Sequence, residues 1–383
     1  MQKLKPHNLA QAAFGKIHCC ALLMLLTVAF THTIVAAAPA PGVVGAKLSA
    51  AAVGLSLAWD EAAEKESAGR IVGPETRENN CQSCHALEYS AWENTHHFAT
   101  FKVRHRSDRA KEIMGKLGQK SMKRSTDCRG CHYTSILRKG KVKASWGVSC
   151  ESCHGPAKDY VNVHNKAGGD PGAATVKWGD KSESADARNT RLTAAAEKGM
   201  LHPKKLYDIA RNCFGCHTVP NEMLVNKGGH KSGSDFDLVA WSQGEIRHNF
   251  ASSPGAPDSP SNRPASPEQL RRLYVVGAMV DLEVTLENLT KVAEKGGKFH
   301  KAMVARANMA RKKVAAFADQ IPEIAAALGK VPASIDESTS IPADLLASLK
   351  GASTEFVANN DGSGLGAIDS NIPTQYKGTA YEH

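Results

Sequence analysis

Between residues 81 and 217 one pattern occurs four times: two cysteines separated by two residues and followed at once by histidine. The copies are Cys81-Cys84-His85, Cys128-Cys131-His132, Cys150-Cys153-His154 and Cys213-Cys216-His217. No other feature restricts the fold so strongly, because the spacing C-x-x-C-H is the attachment signature of c-type haem. Two thiols form thioethers with the porphyrin, and the adjacent imidazole reaches the iron from one face. Paired C-x-x-C motifs also occur in four-thiolate zinc sites and in disulfide frameworks, but neither needs the histidine. With 16 His in 383 residues, a His after all four pairs arises by chance roughly a few times in a million. Four covalent haems are therefore expected, tethered by Cys81, Cys84, Cys128, Cys131, Cys150, Cys153, Cys213 and Cys216. His85, His132, His154 and His217 are the proximal ligands.

Each haem would be served by only about 34 residues of chain, too few to enclose each macrocycle in its own protein shell. The porphyrins must then form part of the core, which agrees with an aromatic content of 6%, and edge-to-edge contact between them follows. Seventeen residues separate His132 from Cys150, so the second and third sites should adjoin most closely. The remaining composition, 42% hydrophobic and 22% charged, is that of a soluble globular protein. It excludes collagen-like, bulk-disordered and polytopic membrane chains, and the length allows two domains.

Lys3, Lys5 and Lys16 precede an apolar run from Cys19 to Phe30, and Ala36-Ala37-Ala38 closes it. Residues 1–38 read as a cleaved secretory signal peptide, which places the mature chain in the periplasm and removes Cys19 and Cys20. The apolar run is short of the roughly 20 residues a membrane helix needs, so no membrane anchor is expected. Residues 39–70 would be a linker and 71–250 the haem domain. Without the leader's three Lys, 45 basic residues stand against 38 acidic ones, a formal charge of +7. That falls to about +3 if each ferric bis-His haem brings about one negative charge.

What occupies the sixth coordination position of each iron decides function. After the leader, His96, His97, His105, His164, His202, His230, His248, His300 and His383 are available, more than four haems require. Met279, Met303 and Met309 fall in helical apolar patterns and read as packing residues, so predominantly bis-His, low-potential haem is expected. If the segment after the first motif is helical, Trp92 and His96 share the face of His85. His97, about a quarter turn away, is then free to serve a different haem. Ser234 could cap a helix whose stripe of Leu238, Trp241, Glu245 and His248 presents His248 inward. His105, His202, His300 and His383 read as ordinary surface or core histidines.

Over roughly residues 78–250 the chain resembles one known family, the tetrahaem cytochrome c of the cytochrome c-554 type, which accepts electrons from hydroxylamine oxidoreductase in ammonia-oxidising bacteria. The resemblance begins with Cys81-Gln82-Ser83-Cys84-His85 followed by Trp92 and Thr95-His96-His97. It continues in Gly147-Val148-Ser149-Cys150-Glu151-Ser152-Cys153-His154-Gly155-Pro156 with His164 downstream, and in Cys213-Phe214-Gly215-Cys216-His217 before Phe236-Asp237 and His248. It implies a core of short helices and loops with three bis-His haems and one, at the second motif, without a protein sixth ligand. His97, His164 and His248 match the family's distal positions, His164 as partner of the first haem. His230, in Gly228-Gly229-His230, departs from the pattern. If it ligates the haem of Cys128, Cys131 and His132, the open site disappears.

Beyond the matched part, Pro and Ser in 251–267 mark a linker. Two amphipathic helices should follow in 268–330 as an antiparallel hairpin. One carries Leu270, Leu273, Gly277, Val280 and Val284; the other runs from Gly296-Gly297 to about Ala318. In 331–383, Pro342 and Gly351 should bracket a short helix ahead of a polar, Gly-rich, disordered tail. The expected fold class is thus mainly α, a multihaem cytochrome c core of short helices and loops around four stacked haems, plus a C-terminal helical hairpin. Its function would be electron transfer between periplasmic or membrane-associated redox proteins, without an enzymatic step and without nucleic acid. Nine Lys or Arg against Asp108 and Glu112 in residues 102–125 offer a docking patch for an acidic partner, the alternative being a solvated face. Two other readings stay open: a multihaem oxidoreductase reducing nitric oxide, hydroxylamine or a similar species at a five-coordinate second haem, and a subunit of a haem filament.

Overall fold

The C-x-x-C-H motifs all lie on helical segments, where residues three apart share a face, so both thiols of a motif point the same way. The structure is a computed structural model and describes residues 61–75, 80–177, 180–250 and 261–382. The expected signal peptide, residues 39–60 of the expected first linker, residues 251–260 of the expected second and His383 lie outside the described residues.

The motif-bearing half is built from short pieces. In order they are α1 (Glu61–Ala68), α2 (Cys81–Cys84), α3 (Ala86–Glu93), α4 (His96–Val103), α5 (Asp108–Lys116) and α6 (Thr126–His132). Strands β1 (Thr134–Arg138) and β2 (Lys141–Trp146) follow, then α7 (Cys150–His154), α8 (Ala185–Glu197), α9 (Leu206–His217), α10 (Glu222–Asn226) and α11 (Leu238–Ser242). Side chains of Asn80, Thr95, Ser107, Ser184 and Asp237 cap helix N-termini by accepting free backbone N–H groups. β1 and β2 pair antiparallel through Lys139 and Gly140, both at positive φ (50° and 72°), as a tight two-residue hairpin turn requires. The apolar clusters here are small. One joins Ala110, Met114, Met122, Cys128 and Tyr133; the other joins Ala157, Tyr160, Val163, Ala195 and Met200.

The C-terminal part has longer helices: α12 (Pro267–Thr290), α13 (Lys298–Ala315), α14 (Pro322–Leu328) and α15 (Ala343–Asn359). α12 starts at a capping box formed by Ser266 and Gln269, with Pro267 as its first residue. It is not amphipathic as expected. From Tyr274 to Leu289 nearly every side chain is buried, because α9, α11, α13 and α15 cover it from different sides. α13 stops at Ala315, and Ala318 belongs to a separate short turn of helix. Met279 and Met303 pack in this core, but Met309 is 66% exposed and does not.

Three further expectations for this region fail. Pro342 does cap α15, yet the helix runs through Gly351 to Asn359. A mid-helix glycine costs about 1 kcal/mol, which the burial of Leu345, Leu349, Ala352 and Phe356 offsets. The tail is ordered: Leu365 and Ile368 are buried, and Arg271 grips Asp369 through two bonds of 2.7 Å. Lys377 N donates to Ala240 O (2.8 Å), while its carbonyl accepts from Glu245 N (2.9 Å). Nor does the Pro/Ser segment separate two domains, since one hydrophobic core extends from Tyr207 to Ile368 and the described residues belong to one compact unit. No described helix is long and apolar enough to cross a membrane.

Candidate haem sites

Each motif histidine faces one histidine from elsewhere in the chain. The pairs are His85 with His164 (6.3 Å between ring centres), His132 with His230 (6.4 Å), His154 with His248 (6.0 Å) and His217 with His97 (6.3 Å). Direct imidazole stacking does not explain a separation so uniform, because the interplanar angles run from 20° to 89°. A shared ion does: two imidazoles bound from opposite sides by bonds of about 2 Å place their ring centres about 6 Å apart.

The second nitrogen of the rings is equally ordered. Nδ1 donates to Leu201 O in His154 (2.9 Å), to Val161 O in His164 (3.0 Å), to Lys231 O in His230 (2.8 Å) and to Ile246 O in His248 (2.6 Å). A carbonyl only accepts, so these rings carry the proton on Nδ1 and keep the Nε2 lone pair for a metal. His217 Nδ1 lies 3.3 Å from Ser234 Oγ, and His85 Nδ1 faces the Glu88 carboxylate at 3.9 Å. Burial pushes His132 and His154 down to about 4 and His217 down to about 3, and it also lowers His97 and His164. These imidazoles are neutral at pH 7, the state in which they ligate.

Several elements carry these side chains differently from the sequence expectation. α3 ends at Glu93, and Thr95 caps a new helix, so His85 and His96 do not share one helix. His97 is half-buried, whereas the His96 ring is 82% exposed, with Nδ1 2.6 Å from a Glu245 carboxylate oxygen. Asp237, not Ser234, caps α11, which ends at Ser242. His248 therefore reaches His154 from a turn, and that turn is held by the Lys377 contacts described above. His300 and His202 accept from Gly296 N and Lys204 N through Nδ1, and with His105 they lie outside the four pairs.

Other residues that position the pairs carried little sequence signal. Arg191 donates to the backbone carbonyl of His164 and is itself fixed in a buried bidentate pair with Glu183 (2.6 and 2.7 Å). Glu151, between two tethering cysteines, accepts from the backbone N–H groups of Val72, Gly73 and Ala157 (2.9, 2.7 and 2.7 Å). Burial still holds its carboxyl above the usual range. Gly147 lies so close to α4 that a Cβ would sit 2.2 Å from His97 O and 2.6 Å from Phe98 O. Gly147→Ala is thus expected to displace His97 and cost about 1–3 kcal/mol. Thermal denaturation checks the loss of stability, and a changed spectrum of the His217 site checks the displacement.

The motifs also interlock. Cys81 and Cys150 thiols are direct neighbours, as are Cys131 and Cys216, and each contact pushes the Cys81 and Cys131 thiols up. Asn212 of α9 donates to Ser152 O (2.8 Å) and Cys153 O (3.0 Å), tying the fourth motif to the third. The thiol contacts thus join first with third and second with fourth, and not second with third as the short spacing suggested. Thr134 does link the chains of the second and third motifs, through Ser149 and Ser152 (2.9 and 2.6 Å). None of the eight motif cysteines is in a disulfide.

The residues fit c-type haem: eight thiols in helical C-x-x-C turns, and imidazoles in pairs at metal-bridging distance. Tyr133 Oη and Trp241 Nε1, beside His132 and His217, are buried without a protein hydrogen-bond partner, which suits polar groups supplied by a prosthetic group.

Comparison with known proteins leads the same way. The family model described as cytochrome c554 and c-prime matches residues 80–155. The chain is 28% identical over 184 residues to cytochrome c-554 of Nitrosomonas europaea, a match covering 46% of this chain and 66% of that protein. No solved structure matches. Over the matched residues the chain is similar to the cytochrome c-554 type family, a likeness that supports covalently bound c-type haem.

Proposed function

We propose that this chain is a periplasmic tetrahaem electron carrier, in which each C-x-x-C-H motif holds one haem between the paired histidines. The observation that carries the reading is the set of four His–His pairs, each containing one motif histidine, at 6.0 to 6.4 Å. Bound haem supplies a one-electron iron couple and a conjugated ring from which an electron passes to a neighbouring ring. The chain's own residues fix the rest. Cysteines set the position of each group, carbonyls lock the ligand tautomers, and the interlocked motifs order the sites first, third, fourth, second. The α12 and α13 pair, an antiparallel hairpin in this reading, backs the fourth site. Because His230 faces His132, the geometry favours a carrier over a reductase with an open second iron. Because every pair is formed within one chain, no ligand from a neighbouring subunit is needed, which counts against a filament.

The basic run borders the second site, at the end of that order. Asp108 and Glu112 are taken up by Lys111, Arg109 and Lys116, whereas Lys102, Arg104, Arg106, Lys120, Lys123 and Arg124 form no ion pair among the described residues. We infer that an acidic redox protein docks there. Raising ionic strength from 0.01 to 0.15 M shortens the screening length from about 30 to about 8 Å. The second-order rate of electron exchange with an acidic partner is expected to fall roughly tenfold, measured by stopped flow. A rate independent of salt removes the patch. A mass exceeding the processed polypeptide by fewer than four haems removes the tetrahaem reading.

A further inference from the structure

The region α12 to α15, C-terminal to the Pro/Ser segment, packs against the fourth site, and one of its side chains reaches the loop that carries Ser234. Arg306 of α13 is nearly buried. Its Nε donates to Asp281 of α12 (2.6 Å), its Nη1 donates to Ser234 O (2.7 Å), and its guanidinium lies 5.8 Å from the centre of the Phe214 ring. Ser234 in turn meets the fourth motif three times, once through its hydroxyl donating to His217 O (3.4 Å). Its N–H donates to His217 O (3.0 Å), and its hydroxyl meets His217 Nδ1 at 3.3 Å. Gly233, at φ 71°, leaves room for this approach, since a Cβ there would stand 3.0 Å from Arg306 Nη1. Phe236 then stacks on the His217 ring (4.3 Å, 21°), and Asn288 of α12 donates to Thr218 Oγ1 (3.2 Å).

We propose that Arg306, anchored by Asp281, is a positioning residue for the fourth haem: it holds Ser234 so that the hydroxyl accepts from His217 Nδ1 and sets the potential of that haem alone. This deepens the tetrahaem reading and rests on it. An imidazole that donates a hydrogen bond is a more basic ligand and favours ferric iron. Removing the acceptor therefore raises the midpoint.

The test uses the complete holoprotein and follows all four haem transitions by optical and electron paramagnetic redox titration. Ser234→Ala is expected to move one transition upward, changing the ferric-to-ferrous ratio at the wild-type midpoint roughly tenfold, about 59 mV for one electron. Arg306→Met combined with Asp281→Leu removes both buried charges together. That avoids stranding either one and leaves the positioning effect as the difference. The pair of substitutions is expected to shift the same transition in the same direction, with altered low-spin g values for that haem. Adding Ser234→Ala to it should shift the transition no further, the non-additivity expected of residues acting in series.

Four unmoved midpoints in Ser234→Ala, or equal movement of all four in the double variant, would overturn the proposal. So would full additivity of the two changes. The haem count of the same preparations separates the two layers. Four haems with an unmoved fourth midpoint defeat this inference alone, whereas fewer than four defeat the tetrahaem reading beneath it.

Discussion

Ferric protein purified with its haems is expected to show a wholly low-spin electron paramagnetic resonance spectrum, and His230→Ala to add a high-spin signal from about one iron in four. The resemblance to the cytochrome c-554 family implies an open second site, but the local chain here holds the His230 imidazole opposite His132. Gly229 and Gly233 bracket the loop at positive φ, each 71°. Gly228 packs so tightly that a Cβ would lie 2.7 Å from Leu224 O and 3.2 Å from Ile113 Cγ2. His230 N donates to Leu224 O (2.8 Å), and Arg109 of the basic helix α5 donates to Gly229 O. The ring is thus held at His132 before any metal acts on it, and an organised ligand is hard for exogenous molecules to displace. Cyanide or nitric oxide should bind the second iron of the variant far faster than any iron of the wild type, read by optical difference spectra. A high-spin signal in the wild type would detach His230 from the iron and reopen the reductase reading.

The second large effect concerns the chain without haem. Expressed where no haem is attached, the protein is expected to fold only from about α9 onward. The reason is the uneven distribution of apolar burial. Around the first three motifs each cluster has five residues, whereas the core shared by α9, α12, α13, α14 and α15 runs from Tyr207 to Ile368 and includes Phe214, Met279, Leu282, Leu286, Met303, Phe317, Leu349 and Phe356. Each such side chain contributes about 1.5–3 kcal/mol on burial, so this core can balance its own chain entropy, and the N-terminal clusters without porphyrin cannot. Limited proteolysis with mass spectrometry should yield a resistant fragment beginning near residue 206, while residues 80–200 are digested. Circular dichroism should retain the signal of the long helices. Uniform resistance along the apo chain would show that the motif region has a sufficient protein core.

Legibility from the sequence was sharpest where chemistry is covalent and local. The C-x-x-C-H turns needed only adjacent residues, and the surplus of histidines was visible as a supply of distal partners. How the chain carries those partners is less visible in the sequence. Periodicity separates His97 from His96 only if one helix runs through residue 94, and Thr95 breaks that helix. His248 was placed on a helical stripe that ends at Ser242. In both cases a short turn redirects the chain, and helical periodicity does not register a turn of two or three residues. Gly351 reads as the residue just past a helix end, yet the burial of Leu345, Leu349, Ala352 and Phe356 carries α15 through it. Composition marks the tail as disordered, but Ile368 enters the core and Asp369 and Lys377 bond to residues far away in sequence.

From its sequence alone the chain's cofactor chemistry was decided, because tethering thiols and the neighbouring imidazole lie within five residues and need no long-range fold to be recognised. Only the tertiary structure decided which histidine stands opposite which, that the thiols join first to third and second to fourth motifs, and that the C-terminal helices reach the fourth site through Arg306. Those are meetings of residues separated by tens of positions. They are selected by packing and by the satisfaction of buried polar groups over the whole molecule, which no local pattern encodes.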